Sequence, residues 1–332
     1  MKTKRKLVKY LVSLIILVFY RFNTKAKENK INTKVLSDKI FFKHKISKDH
    51  PETPDRIKYI INYLNKSKLN HLIENVDINS GNIIENWIKE IHSNNHIKNI
   101  KEMEPLAHKV SSAAVEICIK GVDMIFNSDV RNIFCAVRPP GHHALNTGKE
   151  EGFCYYNHVA ITAKYIQKKY LIDRILIVDW DYHHGNSTEY FFYDDPSVLF
   201  FSSHDQYAYP GTGSPLKKGK NRGLGYNINV HLPCNTTDKE IIDVYKKKLL
   251  PIVKKFKPEF ILISAGFDSR VDDPLGCYKV TDNGFSELTK IVLNIANKFC
   301  DGKILSILEG GYNLDGNASA AIAHIKELNK KI

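Results

Sequence analysis

The chain is predicted to fold as one α/β domain around a mostly parallel sheet with helices on both faces. Short apolar runs alternate with longer segments of helical period, the pattern of strand–helix–strand units. Polar, glycine-bearing turns follow several of the apolar runs. No internal repeat, low-complexity linker or shift in composition interrupts the sequence after Lys34.

The expected strands are Asn132–Val137, Arg174–Val178, Ser197–Phe201, Tyr226–Val230, Glu259–Ser264 and Lys303–Leu308. Each is a short β-rich run, and Arg174–Val178 and Phe260–Ser264 read as strands buried on both faces. The expected helices are Asp55–Lys66, Ser111–Asn127, Tyr156–Lys169, Lys239–Lys255, Gly284–Lys298 and Asn317–Leu328. Thr237 and Glu240 have the spacing of a capping box and open one of them. At 332 residues and 43% hydrophobic content the chain can bury a large core, which excludes a disordered protein.

The net charge is +13. Lysines are dispersed on helix faces, as in Lys246–Lys248 and Lys254–Lys255, and no aromatic–basic interleaving accompanies them. The charge therefore reads as solvated surface, with no specific nucleic-acid partner. Six cysteines (Cys118, Cys135, Cys154, Cys234, Cys277, Cys300) are scattered without a Cys-x-x-Cys pair and read as reduced thiols, with no disulfide framework.

Residues 1–33 read as a leader and 34–332 as the single folded domain. Lys2, Lys4, Arg5, Lys6 and Lys9 precede the apolar run Leu11–Tyr20, and Arg21, Lys25, Lys27 and Lys30 follow it. The run is short for a spanning helix, and the basic residues after it disfavour export. A membrane association through residues 1–30, or else a cytoplasmic protein, is the expectation, with export left open; the oligomeric state is not legible.

The chemistry concentrates after strand ends. Asp179-Trp-Asp-Tyr-His-His184 follows the run Arg174–Val178. Alternate residues of an extended chain point the same way, so Asp181 and His183 share a face at the sheet's carboxyl edge, where open α/β sheets bind ligands. Asp268 stands after Phe260–Ser264 in the same position. Two carboxylates and an imidazole suit Zn²⁺ or Fe²⁺ and leave a coordination position open for catalysis.

His142 and His143 lie on the rigid turn Arg138–Ala144 after another strand. Gly310 and Gly311 present Tyr312 after the last strand, where a phenol donates to a developing oxyanion. These parts assemble into metal-assisted amide hydrolysis, with a histidine moving the proton and with Asp179 and Asn186 orienting the histidine pair.

Seven segments in order carry a resemblance: His50–Arg56, Arg138–Ala144, Glu151–Asn157, Asp179–Asn186, Tyr209–Gly213, Ser264–Asp268 and Glu309–Asn313. Together they resemble the successive motifs of the zinc-dependent histone deacetylase family, nearest its class II branch and bacterial deacetylase-like members, over roughly residues 35–325. The resemblance implies the arginase/deacetylase fold, an eight-stranded parallel sheet between helices.

It implies Asp181, His183 and Asp268 as zinc ligands, His143 as general base and acid, His142 as its electrostatic partner, and Tyr312 as the oxyanion donor. It implies Phe153 and Tyr209 as walls of an acyl-lysine tunnel and Gly152 as its floor. It further implies a structural K⁺ held by Asp179, the carbonyls of Asp181 and His183, and Ser202.

The chain departs from the family at several points. Tyr209 replaces a common Phe, and Ser187 a frequent glycine. The segment Lys98–Lys109 is short and offers only Glu102 or Glu104 where the family has an acidic residue that grips the substrate backbone. Leu275 stands where acetylpolyamine deacetylases carry an acidic gatekeeper, while the nearby Asp272 and Asp273 read as a solvated turn.

The expected substrate is therefore an acetyl-lysine protein or peptide, with an acetylpolyamine or another small acyl amide as the alternative. A two-metal, arginase-like hydrolase would need further bridging carboxylates. A non-catalytic acyl-lysine binder would be expected to lack Tyr312 or a ligand.

Overall fold

The computed structural model describes residues 32–79 and 81–330. The basic and apolar segment through residue 30, with its expected membrane association, lies outside the described residues. Among the described residues no helix is long and apolar enough to cross a membrane.

Eight strands form one parallel sheet: β1 (Asn32–Ser37), β2 (Ile73–Asn75), β3 (Val130–Cys135), β4 (Ile175–Asp179), β5 (Val198–His204), β6 (Asn227–His231), β7 (Phe260–Ala265) and β8 (Ile304–Leu308). Their spatial order is β2-β1-β3-β8-β7-β4-β5-β6. The six runs expected from the sequence are β3 to β8, with ends shifted by at most three residues. β1 and β2 were not expected from the apolar pattern. β1 is the first described element, and Thr33 Oγ1 donates to the Leu328 carbonyl at 2.9 Å.

The helices are α1 (Asp55–Lys66), α2 (Gly81–Ile88), α3 (Asn94–Met103), α4 (Pro105–Asn127), α5 (His158–Tyr170), α6 (Asn186–Phe192), α7 (Asp238–Val244), α8 (Leu250–Phe256), α9 (Asp282–Phe299) and α10 (Leu314–Leu328). The single helix expected over Lys239–Lys255 is instead α7, a wider π turn over Tyr245–Leu249, and α8. Pro251 gives the reason. It has no N–H to donate, and its ring crowds the carbonyl one turn earlier, so the ladder loosens just before it. The capping box forms as expected: the Thr237 N–H donates to Glu240 Oε2 at 2.9 Å, and the Thr237 side chain closes the reciprocal bond.

The core is densest at the sheet centre, where every residue of β4, β5, β7 and β8 is buried. Strands covered on both faces carry no alternation, which is why these four read as continuous apolar runs. Their order places the site. β3, β8, β7 and β4 are adjacent, yet β8 and β7 enter between β3 and β4 only after the chain has left both. The connections diverge at this switch point and leave a crevice beyond the carboxyl ends of these strands.

Cys234 and Cys277 are joined as a disulfide with their Cα atoms 5.2 Å apart, which corrects the reading of six reduced thiols. The pair is 43 residues apart in sequence, and only tertiary contacts such as Asn235 N–H to the Cys277 carbonyl (2.8 Å) bring the two loops together. Cys118, Cys135, Cys154 and Cys300 are buried and free.

Candidate active site

Four loops meet at the crevice. The loop after β4 brings Asp181 and His183, and the loop after β7 brings Asp268. One donor atom from each lies within 4.8 Å of the others. His183 Nδ1 is 3.2 Å from Asp181 Oδ1 and 3.0 Å from Asp268 Oδ2. The other carboxylate oxygens are tethered: Asp181 Oδ2 accepts from Gly310 N–H at 2.8 Å, and Asp268 Oδ1 from Tyr182 N–H at 2.7 Å. A side chain at position 310 could not fit, because its Cβ would stand 2.1 Å from Asp268 Oδ2 and 2.7 Å from Asp181 Oδ2.

Burial and the neighbouring Asp181 push Asp268 up to about 7. Burial works against a charge on His183, but Asp181 and Asp268 together push it up to about 10. Two facing buried carboxylates are costly without a cation between them. The donor set, its convergence and its fixed orientation fit a Zn²⁺-type ion.

The loop after β3 carries the histidine pair. His142 Nδ1 and Asp179 Oδ2 are 3.1 Å apart, and His142 Nε2 is 3.8 Å from Asp181 Oδ2. Burial alone would lower its pKa, but Asp181 and Asp179 overcome this and hold it well above the usual histidine value. His143 is the opposite case. Burial first, then the neighbouring His142 and His183, hold it well below that value. Its Nδ1 lies 2.7 Å from Asn186 Oδ1, an acceptor, so Nδ1 carries the proton and Nε2 is left with a free lone pair. Their surroundings thus push these adjacent histidines in opposite directions.

The loop after β8 presents Tyr312. Its N–H donates to Asp273 Oδ2 at 2.6 Å, and the Asn313 N–H donates to the same oxygen at 3.1 Å. Leu275 N–H donates to Asp273 Oδ1 at 2.9 Å. Asp273 is therefore a buried anchor, which corrects its reading as part of a solvated turn; Asp272 remains exposed. Arg56 lies under the Tyr312 ring at 4.9 Å, and its Nε donates to the Gly311 carbonyl at 2.6 Å. Burial pushes the Tyr312 phenol up, so it stays protonated and able to donate.

These groups open into a cavity of about 720 Å³ lined by His143, His183, Phe153, Tyr209, Leu275 and Tyr312. Phe153 meets Tyr312 edge-on at 5.7 Å, and Tyr209 meets His143 at 5.0 Å. Gly152 lies between the walls at φ +54°, and a Cβ there would come 2.5 Å from the His143 ring and 2.7 Å from Tyr209. Glu150 also lines the cavity, half-buried, with its carboxylate held by the Phe153 N–H. Glu104 accepts from the Tyr155 hydroxyl at 2.6 Å, and Glu102 is exposed beside Lys98. Ser202 faces Asp179 across the β4–β5 register, its hydroxyl 2.8 Å from His204 Nδ1.

Sequence reasoning assigned no role to Arg56 or Asp273. Arg56 stood inside a quoted motif, but its contact with Tyr312 spans the whole fold and leaves no local spacing to detect.

The histone deacetylase domain family matches residues 50–328. A probable deacetylase of Archaeoglobus fulgidus is 34% identical over 290 residues, 83% of this chain and 80% of that protein. Histone deacetylase 15 of Arabidopsis thaliana is 36% identical, over 84% of this chain but 52% of its own length. Histone deacetylase 6 of Caenorhabditis elegans is 35% identical, and the match spans 32% of it. The chain thus spans about half or less of the two eukaryotic relatives. The crystal structure of the HDA15 HD domain superimposes with a TM-score of 0.82 at 33% identity, covering 90% of this chain and 88% of that one.

Proposed function

This chain belongs to the histone deacetylase family, and we propose that it hydrolyses the acyl amide of N6-acetyl-lysine in a protein or peptide with the help of a zinc ion. The observation that carries this reading is that His183 of the Asp181–His183–Asp268 cluster, His143 and Tyr312 line one cavity.

Asp181, His183 and Asp268 would hold the ion; Fe²⁺ also suits this donor set. Bound there, the metal supplies Lewis acidity toward the substrate carbonyl and toward water. His143 Nε2 takes a proton from the attacking water and returns one to the leaving amine. His142, paired with Asp179, is the electrostatic partner of His143. Tyr312 donates its hydroxyl proton to the oxygen that gains negative charge. Phe153 and Tyr209 flank the apolar stem of the lysine and exclude water from it. Asp179 and Ser202, with the carbonyls of Asp181 and His183, form the place where we put a structural K⁺.

An acetylpolyamine is the second reading. Glu150 in the cavity lining favours a cationic chain, whereas the apolar Leu275 opposes it. The two are separated by assaying the zinc-loaded chain on an acetyl-lysine peptide and on acetylated polyamines side by side. We expect a higher kcat/KM on the peptide. Turnover of polyamines alone would overturn the lysine reading.

A further inference from the structure

Glu309 is a buried carboxyl that the acid–base scheme above does not use. It follows the last residue of β8, three residues before Tyr312. Its Oε2 accepts from the Gly141 N–H at 2.6 Å and the His142 N–H at 3.2 Å, 168 and 167 residues away in sequence. Its Oε1 lies 3.4 Å from Ser264 Oγ on β7. Its own N–H donates to the Ala265 carbonyl at 3.2 Å, and its carbonyl accepts from Arg56, the residue beneath Tyr312.

One residue therefore bonds through its side chain to the turn bearing His142 and His143, and through its main chain to the support of Tyr312. Those two backbone N–H groups belong to a turn with no ladder of its own. Buried donors of this kind are costly to leave unmet. We propose that Glu309 is a positioning residue for the reaction, fixing the distance between the proton-moving His143 and the oxyanion donor Tyr312. This inference rests on the deacetylase reading of the site.

Reach, rather than charge, is what the role requires. Burial pushes Glu309 up to about 7, and its neutral form still accepts through one oxygen. Glu309→Gln keeps the side-chain length and an acceptor oxygen. Glu309→Asp keeps the charge but withdraws it by one methylene, too far to meet both N–H groups.

The test is steady-state kinetics of the full, zinc-loaded chain and both variants on an acetyl-lysine peptide, with thermal midpoints and metal content measured alongside. We expect kcat of Glu309→Asp to fall by about tenfold to a hundredfold, with KM within threefold. We expect Glu309→Gln to stay within about fivefold of the parent. Equal losses in the two, a larger loss in Gln, or no loss in Asp would overturn the proposal. Only inactivity of the unmodified chain would count against the deacetylase reading itself.

Discussion

Asn186 decides how His143 behaves. An amide oxygen fixes the imidazole tautomer without adding a negative charge, so burial and the neighbouring histidines keep the ring neutral. Asn186→Asp would place a carboxylate at the same distance and favour the imidazolium, raising the pKa of His143. A base works only when unprotonated, so the acidic limb of the kcat/KM profile should move to higher pH, by about 1–3 units. A profile that does not move would show that His143 is not the group titrating on that limb. Residues of this kind were legible in the sequence because strand-end spacing is local: Asp181 and His183 differ by two positions in the bend directly after β4. Glu309, Arg56 and Asp273 were not, because each acts on a partner fixed only by the meeting of distant strands.

The segment before α1 shows how an element secures the site. Glu52 binds Arg138 through Nε at 2.7 Å and also pairs with Arg56; all three side chains are fully buried. Arg138 additionally donates to the carbonyls of Phe41 and His44, so the cluster ties the first motif to the histidine turn. Burial alone would raise the Glu52 pKa, yet Arg138 and then Arg56 hold it below the usual carboxylate value. A depressed folded-state pKa contributes stability that is present above the unfolded value and lost as pH falls through the folded one. Glu52→Gln leaves two buried guanidinium groups short of a counter-charge and should cost about 3–5 kcal/mol at neutral pH. The deficit should shrink as pH falls below roughly 4. Chemical denaturation of both proteins across pH checks this, and a pH-independent deficit would show that packing, not charge, holds the cluster.

Element boundaries were legible unevenly: α10 starts three residues before the expected Asn317, and α4 six before the expected Ser111. α1 begins and ends where expected, and Asn157 and Asn313, which close two of the motifs, are the side-chain caps of α5 and α10. β1 and β2 escaped because neither carries a continuous apolar run: β1, though paired on both sides, reads Asn-Thr-Lys-Val-Leu-Ser. β2 has only three residues, none fully buried, so no apolar run announces it.

At the scale of the whole molecule, the strand order brings three acidic or imidazole donors from two separate strand ends to one point. The α/β class and the parallel sheet followed from alternating runs, whereas the count of eight strands rested on resemblance alone. A cation that binds the folded chain and not the unfolded one should stabilise the entire domain, by about 2.7 kcal/mol at a hundredfold excess over Kd. We propose that this convergence is a catalytic metal centre. The most direct measurement is a titration of Zn²⁺ into the metal-stripped chain, following bound metal and acetyl-lysine peptide turnover together. We predict that turnover rises in proportion to bound zinc, saturates at one ion per chain, and is lost with the ion when Asp268→Asn or His183→Ala is tested. Full turnover in the stripped chain, or zinc binding undiminished in those variants, would show that these residues do not form a catalytic metal centre.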